Sequence, residues 1–159
     1  MALYGLKNKR MVEKFIEAQP DPAAVRKALE KFYESAPSLH NVRVDKSFLM
    51  IETLPARLMH ASDVVWVYHH QTKIKYMGLI PTGSTHAILI HTAGGKQYSV
   101  SVATSGQAKN LLNFLFTNLP AAAFGYSEKL VELWNGKDPD KAWNFHAIGV
   151  LQHAQKEEE

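Results

Sequence analysis

The sequence predicts an α+β fold, with short antiparallel strands through the middle of the chain and helices before and after them. Three observations lead there. Between Asp63 and Val102 successive runs are rich in β-branched and aromatic residues, and each is closed by residues that favour turns. After Val102 the apolar period changes to that of a helix, with Ala108, Leu111, Leu112, Leu115 and Leu119 recurring on one side. Asp21-Pro22 and Asp138-Pro139 mark two more helix starts: the carboxylate accepts from the free N–H groups of the first turn, and proline there lacks only an N–H that has no partner.

Taken in order, Leu6, Val12, Phe15, Ile16 and Gln19 suggest a short first helix that ends before Pro20, with Lys7, Lys9, Arg10, Glu13, Lys14 and Glu17 outward. The second helix starts at Pro22 and runs to about Ser35, lined by Val25, Leu29 and Phe32 or Tyr33, because Pro37 disfavours helical geometry before it. Helices this short are rarely stable alone. Their apolar stripes are therefore expected to dock on their own sheet or on a second copy, the latter giving a homodimer.

Val42 and Val44, Phe48 to Ile51, and Arg57 to His60 read as three short strands, with Asp45-Lys46 and Leu54-Pro55 as turns. Val64 to His69 is apolar on both faces, as a strand covered on both sides would be. Gln71-Thr72 then reads as a tip, Lys73 to Leu79 as the return, and Pro81-Thr82-Gly83 as an interruption. Thr85 to His91 and Gln97 to Val102 follow, joined at Gly94-Gly95, a type I′ hairpin signal. Gln97, Ser99 and Ser101 alternate with Tyr98, Val100 and Val102, one wet face and one buried.

These are seven strands in sequence. Ser105 should cap the helix that follows, to about Asn118, with Leu111, Leu112 and Leu115 in the core. Residues 121–125 connect it to a short helix capped by Ser127, burying Leu130, Val131 and Trp134 and stopped by Gly136. The last helix carries Ala142, Phe145 and Ile148 inward, and the tail from Gln155 is solvated.

The whole reads as one domain, residues 1–159, made of an N-terminal helical segment (1–38), a core (39–119) and a C-terminal helical extension (120–159). Hydrophobic residues at 46% and charged residues at 21% exclude wholesale disorder. The lack of cysteine excludes disulfides, thiolate catalysis and cysteine zinc sites. No apolar leader is visible at the start. The charge-free spans Gly78 to Gly95 and Asn110 to Ser127 contain proline and polar residues that unfit them to cross a bilayer, so a cytoplasmic protein is expected. The net charge of +3 is mild, but no acidic residue falls between Asp63 and Glu128, where Lys73, Lys75, Lys96 and Lys109 lie with four histidines.

Seven strands followed by one amphipathic helix resemble the pleckstrin-homology-like (PH-like) superfold, a bent antiparallel sheet or partly open barrel capped by a C-terminal helix. DVVWVY at Asp63 to Tyr68, GGKQY at Gly94 to Tyr98, and the run from Leu119 to Trp134 look like an uncharacterised bacterial family with such a domain, whose members include membrane-anchored chains. The resemblance covers roughly Val42 to Trp134 and implies no catalytic residue and no cofactor. This chain carries two polar helices where such members have a membrane segment.

Motif by motif, chemistry is scarce. His69 and His70 point to opposite faces, and His86 and His91 differ by an odd number, so neither pair converges unless another strand helps; no HExxH or acidic triad accompanies them, and no metal site is assigned. Gly94-Gly95-Lys96 precedes a strand, whereas a phosphate loop precedes a helix. Ser84, His86 and Asp63 lack the surroundings of an activated serine. Trp66, Tyr68, Tyr76 and Tyr98 read as core rather than as a stacking platform, so no nucleic acid is expected.

The leading expectation is a noncatalytic binding or scaffolding module for a peptide, a protein partner or its own copy, engaged at an exposed sheet edge. The alternative is recognition of an anionic headgroup or phosphate ligand at a basic sheet face, with Lys73, Lys75, Lys96 and His69 as candidate ligand-binding residues. A third class is an enzyme using His69 or His70 as general base. An anionic membrane surface is the less favoured partner.

Overall fold

A computed structural model of the chain describes residues 8–53, 55–76 and 80–158, with side chains described except at 73–76, 80–83, 157 and 158. Its contacts divide the chain into two compact units, residues 1–61 and 62–159. The first holds α1 (Lys9–Glu17) and α2 (Pro22–Ser35), followed by β1 (Ser38–Leu39), β2 (Val42–Val44), β3 (Phe48–Ile51) and β4 (Arg57–His60). The second holds β5 (Val64–Tyr76), β6 (Ile80–Thr92), β7 (Gln97–Val102), α3 (Ser105–Asn118), β8 (Ala123–Phe124), α4 (Glu128–Asn135) and α5 (Lys141–Glu158). Among the described residues these make five helices and two four-stranded sheets, the expected α+β class, without a closed barrel.

In the first unit β1 to β4 form an antiparallel meander. Its opening hairpin was not expected: His40 and Asn41 take φ of 47° and 67°, and a two-residue loop whose two residues are both left-handed matches the twist of the strands it joins. Asp45 makes the next turn by accepting from the N–H groups of Ser47 (2.7 Å) and Phe48 (2.8 Å). The expected turn at Leu54-Pro55 falls partly outside the described residues, at Leu54. Asp21 caps α2 by accepting from Ala24 N–H at 3.2 Å. Val12, Ile16, Leu29 and Phe32 bury themselves with Phe48 and Met50, and the rings of Phe15 and Phe32 stand edge-on to Phe48. The helical stripes are thus covered within their own unit. Leu6 and Lys7, assigned to the first helix, lie outside the described residues.

In the second unit the order is β7-β6-β5-β8. Three turn expectations are corrected there. Gln71 and Thr72 lie inside β5, paired with His86 and Thr85, because β5 and β6 form one ladder from Val64↔Thr92 to Tyr76↔Ile80. Pro81 and Gly83 lie inside β6; a register shift between Ile74 and Lys75 lets Gly83 and Pro81 face consecutive residues of β5, and a bulge is where a strand tolerates a residue without an N–H. The return strand expected to reach Leu79 passes into residues 77–79, which lie outside the described residues. Between β6 and β7 only Gly95 has positive φ (85°), and its N–H donates to Thr92 O at 3.0 Å, so the turn is a longer loop closed by one left-handed glycine instead of a type I′ pair.

β8, expected as a connector, pairs parallel with β5 (Trp66↔Ala123, Val67↔Phe124), so the sheet is not wholly antiparallel. α3 spans the expected residues, but Thr104 caps it, accepting from Gln107 N–H at 3.0 Å. Ala108, Leu111 and Leu115 are buried, whereas Leu112 is only half-buried. α4 is capped by Ser127 as expected. Asp138 makes a turn, accepting from Asp140 N–H at 2.9 Å, and α5 begins at Lys141. Val65, Trp66, Tyr68, Leu89, Ala123, Leu130 and Phe145 form this unit's aromatic core, with Trp134, Ala142 and Ile148 packed on it. Among the described residues no helix is long and apolar enough to cross a membrane.

Candidate functional site

Opposed residues of an antiparallel pair share a face, so the register sets three rows across β5, β6 and β7. Trp66, His91 and Gln97 form one; Tyr68, Leu89 and Ser99 the next; His70, Ala87 and Ser101 the third. Each row runs from an aromatic or imidazole ring on β5 to a short exposed polar side chain on β7, a consequence of the alternation in both strands.

The first row is anchored. The Trp66 indole N–H donates to Gly125 O at 2.8 Å, and Gly125 holds φ of 97°, a left-handed turn that suits glycine as the chain leaves β8. His91 packs flat against Trp66 (centroids 4.6 Å apart) and edge-on to Trp134 (4.5 Å). It is 2% exposed and neither ring nitrogen has a hydrogen-bond partner. Burial pushes its pKa down to about 4, so the ring is neutral at physiological pH.

Along the second row lies a groove of about 740 Å³ lined by Tyr68, His70, Leu89, Gln97, Ser99 and Tyr126. Tyr126 is 66% exposed, and its ring leans edge-on against Tyr68, 5.3 Å between centroids. Burial, and then Tyr126, raise the Tyr68 phenol above its ordinary range, so it stays a neutral group in the floor. The lining offers apolar rings, hydroxyls, an amide and imidazole but no carboxylate. That chemistry suits a partly apolar, weakly charged ligand.

The two edges of this sheet differ. At β8 the Gln152 side chain accepts from Phe124 N–H at 2.7 Å and donates to Phe124 O at 2.8 Å, so a side-chain amide from α5 takes the place of a neighbouring strand. β7 has no strand on its outer side among the described residues, and alternate N–H and C=O groups of an edge strand point away from the ladder.

Of the residues singled out by sequence, His69 borders the groove, but its Nε2 meets His86 Nδ1 at 3.0 Å. Register explains the meeting: His69 opposes Ile88 and His86 opposes Gln71, so the two rings are diagonal neighbours on one face. Burial, then His86 and His70, lower the His69 pKa. Lys73 and Lys75 belong to the far half of β5, opposite Ser84 and Pro81, and their side chains lie outside the described residues. Lys96 is exposed in the β6–β7 turn beside Thr92, eight positions along β6 from Ser84, or roughly 26 Å at the usual strand rise. The backbone does not gather the three lysines. Ser84 and Asp63 are likewise at opposite ends of the hairpin, since Asp63 precedes Val64↔Thr92.

Trp66 and Tyr68 are core, as read from the sequence; Tyr76 lies outside the described side chains. Leu89, Gln97, Ser99 and Tyr126 were not singled out as site residues. The alternation of Gln97 and Ser99 signalled an exposed face, whereas Tyr126 carried no signal until Gly125 turned it onto Tyr68. Among the described residues no three His, Cys, Asp or Glu side chains gather.

A family model described as a domain of unknown function (DUF6709) matches residues 6–134. No curated protein and no solved structure matches the chain.

Proposed function

Because the chain belongs to the DUF6709 family, whose description assigns no activity, we propose its function from the site: a noncatalytic binding module that accepts an extended peptide segment of a protein partner beside β7. The observation that carries the reading is the groove along Tyr68, Leu89 and Ser99 next to β7, which has no neighbouring strand on its outer side among the described residues, while Gln152 closes the opposite edge. An added strand supplies main-chain hydrogen bonds to β7, and its side chains on the groove side lie beside Ser99, the small residue at the β7 end of the row that leads to Leu89 and Tyr68. The order of a four-stranded meander, three further strands and α3 also supports kinship with PH-like domains, which present a sheet edge beside the C-terminal helix.

The test is selection of random peptides on the full chain. Bound sequences should alternate apolar and polar residues, slow hydrogen exchange across 97–102, and lose about tenfold or more in affinity on Ser99→Asp, which sets a charge beside the added strand. Peptides that bind equally well after Ser99→Asp, or that leave exchange in β7 unchanged, would refute the reading.

A further inference from the structure

We infer that the outward face of α5 is the interface of a two-fold homodimer, in which α5 packs antiparallel on the same helix of a second copy. Of the large hydrophobic side chains exposed among the described residues, Trp143, Val150 and Leu151 all stand on this helix. Its other side is taken up within its own unit, where Phe145 is buried in the aromatic core, Gly149 lies against residues 121–122 and Gln152 holds Phe124. α5 is therefore apolar on both sides, the pattern of a helix that is covered on both.

The exposed side also says what kind of element covers it. Trp143, Ala147, Val150 and Ala154 follow one another at intervals of four, three and four, the spacing of a seam between two packed helices, and they run for about 16 Å along the axis. Between Lys141 and Lys156 there is no Asp, Glu, Lys or Arg, whereas a solvated helix face ordinarily carries them. Beside this seam lies a groove of about 490 Å³ shared with α4, lined by Leu133, Ala147, Ile148 and Leu151 together with the exposed Lys129 and Glu132.

A second copy fits this face best. An isologous interface needs one self-complementary patch, and Trp143 and Leu151 lie four residues either side of Ala147. An axis at Ala147 thus sets Trp143 of each copy level with Leu151 of the other, with the small residue where the helices come closest. Lys129 and Glu132 bring one charge of each sign to the groove, so two copies meet with balanced charge, and the antiparallel order opposes their helix dipoles. The stripes of α1 and α2, the route to a homodimer expected from sequence, are covered within their own unit, and α5 offers the uncovered one. None of its residues lines the groove beside β7, so this interface is separate from the proposed peptide site.

Sedimentation equilibrium of the full chain from about 1 to about 100 μM should show a monomer–dimer equilibrium with a dissociation constant in the micromolar range, the strength expected of a small contact. Leu151→Glu and Trp143→Ala, both at exposed positions, should each weaken it about tenfold or more while leaving the far-ultraviolet dichroism unchanged. The chain has no cysteine, so single thiols locate the axis: Ala147→Cys should oxidise to a disulfide-linked dimer, whereas Ala154→Cys, about 21 Å from its counterpart in an antiparallel pair, should not. A monomer throughout that range, a dimer that Leu151→Glu leaves intact, or equal linkage at Ala147 and Ala154 overturns the inference. The first result would assign this face to a different protein.

Discussion

His91 occupies an inward position of β6 between Trp66 and Trp134, with both ring nitrogens buried and unpartnered. Its folded pKa of about 4 lies below the ordinary value of 6.5, so the unfolded chain takes up a proton that the native ring refuses. Stability tied to this ring is therefore fully present above pH 6.5 and falls as the pH drops towards 4, by on the order of 2 to 3 kcal/mol by pH 4.5. Urea melts of the chain and of His91→Leu at pH 7 and 4.5 measure it. The variant should lose less on acidification by about that amount, and an equal loss would mean that His91 is not the group responsible. Gly149 makes a second case at this scale. Alanine normally strengthens a helix relative to glycine by about 1 kcal/mol, but here a Cβ would strike the carbonyl of Ala122, which is backbone and cannot swing away. Overpacking costs up to about 3 kcal/mol, so Gly149→Ala should destabilise by about 2 kcal/mol in chemical denaturation, and a stabilised variant would contradict the close approach of α5 to residues 121–122.

Elements differ in how much of them is written locally. Asp21 and Ser127 make the hydrogen bonds their positions promise, because a cap is decided within three residues. Gln71-Thr72 and Pro81 to Gly83 mislead for the converse reason. Their turn preferences are weak compared with a ladder that runs through them, and only the partner strand reveals it. β8 was illegible because two residues cannot show a period, and its stability comes from β5 on one side and Gln152 on the other. For α3 the helical period was plain but the width of its contact was not. Leu111 is fully buried and Leu112 only half so, which orders their effects: Leu111→Ala should cost about 2 to 5 kcal/mol and Leu112→Ala distinctly less in parallel urea melts. Equal costs would show that both leucines reach the core.

At the scale of the molecule, the family match ends at residue 134, while the second unit does not. α5 begins at Lys141 and supplies three things that nothing N-terminal replaces. Phe145 is fully buried against Trp66, with centroids 5.6 Å apart; Gln152 satisfies both backbone groups of Phe124; and Gly149 lets the helix lie on residues 121–122. Gln152 seals the β8 edge, whereas β7 has no neighbouring strand on its outer side among the described residues, so the asymmetry behind the proposed peptide site depends on this helix. Loss of one buried phenylalanine side chain costs about 3 to 5 kcal/mol, against a total stability of about 5 to 15 kcal/mol for a typical domain, and two orphaned backbone groups add to it. A chain ending at Gly136 should therefore lose the fold of its second unit: near-ultraviolet dichroism should collapse, and amide hydrogen exchange across β5 and β6 should rise to that of an unfolded chain. If the shortened chain instead melts cooperatively at the midpoint of the full one, with β5 and β6 still protected, α5 is an accessory and the closed edge at β8 is not needed for folding.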